Sequence, residues 1–203
     1  MSKRIGFLNT LLLLAWFGPA GADVPLQVGP FILNRDIAEF EKYLDMRTEL
    51  PVRYRENIKE VETRPIKGFK NGLVAYGTCA HPGRVVRIKL KYADSSKAFF
   101  DNLLSRIEKR YGRAIEYRGD PFHILIGWKW SFVDADGNTI SLNLQHNTRD
   151  EEEKMGNAVK LTMTNLFEQD CACRENMEQK ATRQGQPPMV LPGLESWELF
   201  VPR

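Results

Sequence analysis

FHILIGWKWSFVDADGNTISLNL, at residues 122–144, carries the clearest structural signal in this chain. Bulky apolar residues occupy every second position from Phe122 to Phe132 and again from Ile140 to Leu144. Because side chains alternate between the two faces of a strand, each run places its apolar side chains on one face. The Asp-Gly pair within 134–138 is typical of a tight hairpin turn. The stretch therefore predicts two antiparallel strands that share an apolar face.

The segment before this hairpin contains the clearest predicted helix, over residues 96–111. Phe99, Leu103 and Ile107 recur every fourth residue, which predicts one apolar face along the helix. Gly112 follows directly and is well placed to end the helix, because glycine adopts left-handed backbone angles without a Cβ clash.

Residues 84–92 alternate between cations and apolar side chains. Arg87, Lys89 and Lys91 share one face of the predicted strand, so one face is buried and the other is in contact with water. These three cations are a candidate interaction surface for an acidic partner, anionic lipid headgroups or a polyanionic cell-surface polymer. The alternative interpretation is an ordinary solvated sheet face.

Further periodic segments predict helices over 37–44 and 165–180 and strands over 58–61, 73–79 and 159–163. Asn71-Gly72 predicts another hairpin turn. Strands joined by tight turns pair antiparallel, and helices would cover one face of the resulting sheet. We therefore expect a single α+β domain over residues 23–183. The order of a helix followed by strands occurs twice, so a structural duplication is a further hypothesis.

The three cysteines Cys79, Cys171 and Cys173 support two hypotheses. In the first, Cys79 forms a structural disulfide with one of the other two, which ties the last helix to a strand and leaves one thiol over. In the second, Cys171 and Cys173 act together in thiol redox chemistry or in binding a soft metal. Residues two apart on a helix point about 200° apart, which opposes a joint role if this segment is helical.

The first 22 residues have the composition of a cleaved signal peptide. Lys3 and Arg4 precede an apolar run, and the segment ends in the small residues Ala20-Gly21-Ala22. We expect export to the periplasm or secretion, with Asp23 as the first residue of the mature chain. After this segment no stretch is long and apolar enough to span a membrane. Residues 184–203 are rich in proline and lack periodicity, which predicts a loosely ordered tail.

Metal-binding patterns in the chain are weak, and no cofactor is expected. Asp134, Asp136 and Asn138 have the spacing that opens a calcium loop, but the glycine and glutamate that should follow are missing. His123 and His146 lie near opposite ends of the predicted hairpin without a placed carboxylate or cysteine. We interpret both histidines as exposed residues of the sheet face.

Composition and motifs together favour a binding role over catalysis. The chain contains no Gly-rich phosphate loop, no Gly-x-Ser-x-Gly nucleophile motif and no His-Glu-x-x-His zinc motif. The formal charge of +3 falls to +1 without Lys3 and Arg4, which gives no electrostatic case for nucleic acid. We expect an exported, non-catalytic binding or accessory protein of the cell envelope, with a protein or envelope component as partner. The alternative is a thiol-redox or soft-metal protein that uses Cys171 and Cys173.

Overall fold

The computed structural model describes residues 23–147 and 156–183. The predicted signal peptide at 1–22 and the predicted tail at 184–203 lie outside the described residues. Within the described part, the elements in chain order are β1 (Gln27–Val28), β2 (Phe31–Ile32), a 3₁₀ helix (Ile37–Tyr43), β3 (Leu44–Val52), β4 (Arg55–Thr63), β5 (Phe69–Gly77), β6 (Val85–Tyr92), α1 (Lys97–Tyr111), β7 (Glu116–Tyr117), β8 (Leu125–Val133), β9 (Thr139–Asn147), β10 (Asn157–Met163) and α2 (Thr164–Arg183).

An antiparallel sheet of eight strands, in the order β3-β4-β5-β6-β10-β9-β8-β7, forms the body of the described structure. Strands β3 to β6 form one meander and strands β7 to β10 form a second. The two meanders join through their last strands, since β6 pairs with β10 and Ile88 lies opposite Leu161. Strands β1 and β2 form a separate small sheet. This antiparallel sheet, together with the helices, agrees with the predicted α+β content.

The two faces of the sheet carry different side chains. Ile88 and Leu161, which lie opposite each other, are fully buried on one face. Their chain neighbours Arg87 and Thr162 lie opposite each other on the other face. We call the first the apolar face and the second, which carries the lysines of β6 and β10, the polar face. Alternation along paired strands extends this division across the sheet.

The helices α1 and α2 lie on opposite faces. On the apolar face, the ring of Phe100 in α1 packs on His146 with centroids 5.3 Å apart. On the polar face, the Arg87 guanidinium carbon lies 4.0 Å from the centroid of Phe167 in α2. The expectation that the helices share one face is therefore not met. The physical reason lies in β10, where every residue except Lys160 is buried, so both faces of this central strand need a cover.

The predicted hairpin and the predicted helix α1 are found in the structure, whereas the predicted turn at Asn71-Gly72 is not. The predicted hairpin is present as β8 and β9, but β8 begins at Leu125, and Phe122 lies before it and is 83% exposed instead of joining the apolar face. The helix over 96–111 is present as α1, with Gly112 at its end at φ +82°. The predicted turn at Asn71-Gly72 is wrong, because both residues lie inside β5. A Cβ on Gly72 would collide with the side chain of Leu90 and lie 2.8 Å from a backbone oxygen of β6. This glycine therefore allows close approach of two strands rather than a turn.

His146 also differs from its prediction as an exposed residue. Its side chain is 4% exposed, and its Nδ1 lies 2.7 Å from Oδ1 of Asn157. The amide nitrogen of Asn157 donates to the backbone carbonyls of Asp94 and Ser96, at the start of α1. This polar pair therefore fastens the N-terminus of α1 to the central strands.

Candidate functional site

A disulfide holds α2 against the end of β5. Cys79 and Cys173 are bonded, with their Cα atoms 6.1 Å apart and 94 positions apart in the sequence. Cys171 remains a free, half-buried thiol. Burial raises the pKa of this thiol, which disfavours the reactive thiolate. The sequence allowed Cys79 to bond to either Cys171 or Cys173, and the structure contains the bond to Cys173.

A buried carboxylate reinforces the same junction. Asp170 in α2 is fully buried, and its Oδ1 accepts hydrogen bonds from the backbone N–H groups of Cys79 and Ala80 at 2.9 Å and of His81 at 3.3 Å. A Cβ on Gly77, at the end of β5, would lie 2.7 Å from this Oδ1. The position of α2 is thus fixed by one covalent bond and by three hydrogen bonds to one acceptor.

A groove lies between the first turns of α2 and the polar face of the sheet. It consists of a cavity of about 430 Å³ and an adjoining cavity of about 270 Å³. Arg87, Gln145 and Lys160 line both cavities, which makes them one continuous feature. We call it the basic groove. Its charged lining residues are the cations Arg87, Lys89, Arg118, Lys129 and Lys160 and the acids Glu60 and Glu168.

The cations of the basic groove are unequally compensated. Arg118 and Lys129 share the carboxylate of Glu116, at 2.8 and 3.2 Å. In contrast, Lys89 and Lys160 form no ion pair with any residue that the structure describes. The compensated cations lie towards the β7 edge, whereas the uncompensated ones lie on the central strands.

Lys160 occupies the middle of the basic groove. It lies between Lys89 of β6 and Asn143 of β9 in the strand register. Burial lowers the pKa of Lys160, and the nearby positive charges of Arg87, Lys89, Arg118 and Lys129 lower it further. The arrangement places positive charge where water only partly screens it, which favours a negatively charged occupant.

The sequence-predicted surface falls partly within this site. Arg87, Lys89 and Lys91 share the polar face, in agreement with their alternation. Arg87 and Lys89 line the basic groove, whereas Lys91 lines only a neighbouring cavity of about 230 Å³, which it shares with Lys89 and Asn71. Sequence analysis missed Lys160, although a lysine that interrupts the apolar run around it was a usable signal.

The other candidate residues form structural contacts. Asp134 Oδ1 accepts backbone hydrogen bonds from Asp136 and Asn138 at 2.9 and 2.8 Å, so this segment is a hairpin turn. Among the side chains that the structure describes, at residues 23–147 and 156–173, no group of three potential metal ligands is present. Nor does a helix in these ranges combine the length and apolarity needed to cross a membrane.

Comparison with known proteins adds no assignment. No protein-family model, curated protein or solved structure matches this chain. Its function therefore has to be inferred from its own geometry and charge.

Proposed function

We propose that the protein is an exported, non-catalytic binding protein of the cell envelope and that the basic groove is its binding site. The groove is the observation that supports this proposal most, because it is a preformed concave site in which Lys89 and Lys160 form no ion pair with a described residue. The disulfide and Asp170 anchor the helix that covers it. A site held in place before binding loses less conformational freedom when a partner arrives. The charges favour an acidic group on that partner.

Export is supported by the first 22 residues and by the disulfide. Disulfides persist in oxidising compartments such as the periplasm or the extracellular space. The bridge between Cys79 and Cys173 is consistent with such a compartment. The apolar N-terminal run and its small-residue end are the features that a signal peptidase accepts.

A binding role is better supported than the thiol-based alternative. Cys173 is bonded to Cys79, so it is not available as a thiol beside Cys171. The raised pKa of Cys171 lowers its thiolate fraction at neutral pH. The lining of the basic groove contains neither cysteine nor histidine, so it offers no thiol nucleophile and no imidazole base.

We also propose that the two meanders descend from one duplicated unit. The 3₁₀ helix precedes β3 to β6, and α1 precedes β7 to β10. The pairing of β6 with β10 then places equivalent last strands side by side at the centre of the sheet.

Export can be tested by expressing the full chain in a Gram-negative host. We expect the protein in the periplasmic fraction, with an intact mass that begins at Asp23. Alkylation without a reductant should modify one cysteine, and Cys171→Ser should reduce this to none. A chain that stays in the cytoplasm with its first 22 residues attached would contradict the proposal.

Envelope binding can be tested by sedimentation of the mature protein with isolated cell envelopes. We expect binding at low salt that falls as salt rises, because exposed charges are screened. The double variant Lys89→Glu/Lys91→Glu should sediment at least tenfold less. Lys67→Glu/Lys70→Glu, which makes the same change of charge at exposed positions, should behave as wild type. Equal sedimentation of the two variants would exclude the polar face as the binding surface.

A further inference from the structure

The centre of the basic groove has an excess of hydrogen-bond donors as well as of positive charge. The Nε of Arg87 and the Nε2 of Gln145 are buried, and neither has an acceptor in the part of the chain that the structure describes. Both residues line the two cavities together with Lys160. Buried donors are normally paired, because an unpaired one has lost its hydrogen bonds to water. Both nitrogens are shielded from solvent in the unbound structure, so each side chain has to turn towards the groove to donate to an acceptor there.

The acids of the groove do not supply this acceptor. Glu60 lines the smaller cavity and Glu168 the larger one. Neither carboxylate lies within ion-pair distance of a cation among the described residues. The positive charge of Lys160 is consequently left without a partner at the point where the two cavities meet.

We infer that the basic groove binds an oxyanion, the carboxylate or phosphate group of a ligand, with Lys160 as its charge partner and Arg87 and Gln145 as hydrogen-bond donors. This inference deepens the proposed function and rests on it. An oxyanion offers several lone pairs, so it can accept from all three side chains at once. Its charge would also offset the mutual repulsion of Lys160 and the surrounding cations.

The rest of the groove suits the remainder of a small polar ligand. A cavity of about 430 Å³ falls in the size range of small-molecule sites. The polar residues Ser141, Thr162 and Thr164 line it, and Phe167 provides one apolar wall. A free metabolite or a lipid headgroup would present the same oxyanion, so the two sources have to be separated by experiment.

The test is calorimetric titration of the mature protein with three probes at constant ionic strength: inorganic phosphate, succinate and vesicles that contain phosphatidylglycerol. We expect saturable binding of at least one probe, and that probe should raise the Tm of the wild-type protein above the Tm in sodium chloride of equal ionic strength. Binding of phosphate or succinate without vesicles indicates a free small ligand. Binding of vesicles alone indicates a headgroup.

Three variants locate the site. Lys160→Met should weaken binding at least tenfold while the Tm stays the same or rises, because the variant removes a half-buried charge without a counter-ion. Gln145→Leu should also weaken binding, and it provides a second readout if the first variant folds poorly. Lys109→Met is the matched control, since Lys109 is exposed on α1 on the opposite face of the sheet.

The inference is overturned if no probe binds saturably, or if Lys160→Met binds the probe as well as Lys109→Met does. Absence of probe binding together with salt-sensitive envelope sedimentation would remove the oxyanion site and leave the proposed function standing. Probe binding without envelope sedimentation would support the oxyanion site and count against the envelope partner.

Discussion

Removal of the Cys79–Cys173 disulfide is expected to lower the free energy of unfolding by about 4–5 kcal/mol. The two cysteines are 94 positions apart, so the bridge closes a long loop and restricts the unfolded chain strongly. In the chain-entropy account, a loop of about 100 residues contributes about 4.7 kcal/mol. The measurement is equilibrium unfolding in guanidinium chloride of Cys79→Ala/Cys173→Ala beside the wild-type protein, both without reductant.

Cys171→Ala is the matched control for this experiment. It removes a half-buried thiol from the same helix and keeps the bridge, so its effect should stay within about 1 kcal/mol. Because both bridged cysteines are replaced together, the double variant leaves no new free thiol to form other disulfides. A double variant as stable as Cys171→Ala would mean that the bridge contributes nothing to the free energy of unfolding.

Replacement of Asp170 by alanine is expected to cost about 3 kcal/mol of stability, because three backbone N–H groups lose one charged acceptor. We do not expect a larger loss of stability, because the loop at 79–81 is partly exposed and water can replace some of the lost hydrogen bonds. Asp170→Asn retains the accepting oxygen and should lose less stability than the alanine variant. Unfolding in urea, read by circular dichroism, gives the comparison.

Gln169→Ala is the neighbouring control. Gln169 is exposed, and its Oε1 lies 2.6 Å from Nε2 of His81 in the same loop. Loss of this exposed contact should change stability by no more than about 0.5 kcal/mol. If Asp170→Ala and Gln169→Ala unfold at the same urea concentration, the buried carboxylate does not hold α2 in place.

Elements with strong local periodicity could be predicted, whereas features set by distant residues could not. The hairpin over 122–144 and the helix over 96–111 depend on neighbours a few positions away, and both are present. The role of Gly72 depends on Leu90 in the next strand, so its local Asn-Gly signal was misleading. The pattern of apolar residues along a segment predicts that the segment is a strand, but it does not predict which other strands pair with it.

The candidate site shows the same division. Alternation correctly grouped Arg87, Lys89 and Lys91 on one face, because this follows from the geometry of a single strand. The contribution of Lys160 depends on the pairing of β10 with β6, about 70 residues away along the chain. The position of α2 on the polar face likewise depends on β10, which is buried on both faces. A strand of this kind lacks the alternation of apolar and polar residues from which a buried face is predicted.

The central pairing of β6 with β10 also has a kinetic consequence. The first meander ends at Tyr92, and its partner strand begins only at Asn157. Until residues 157–163 are available, β6 has an open edge and the sheet is incomplete. Contacts between segments so far apart form slowly, because a long loop must close before they yield any stabilisation. The chain is therefore expected to remain unfolded during synthesis, which is the condition in which a polypeptide can be threaded through a membrane, as the proposed export requires.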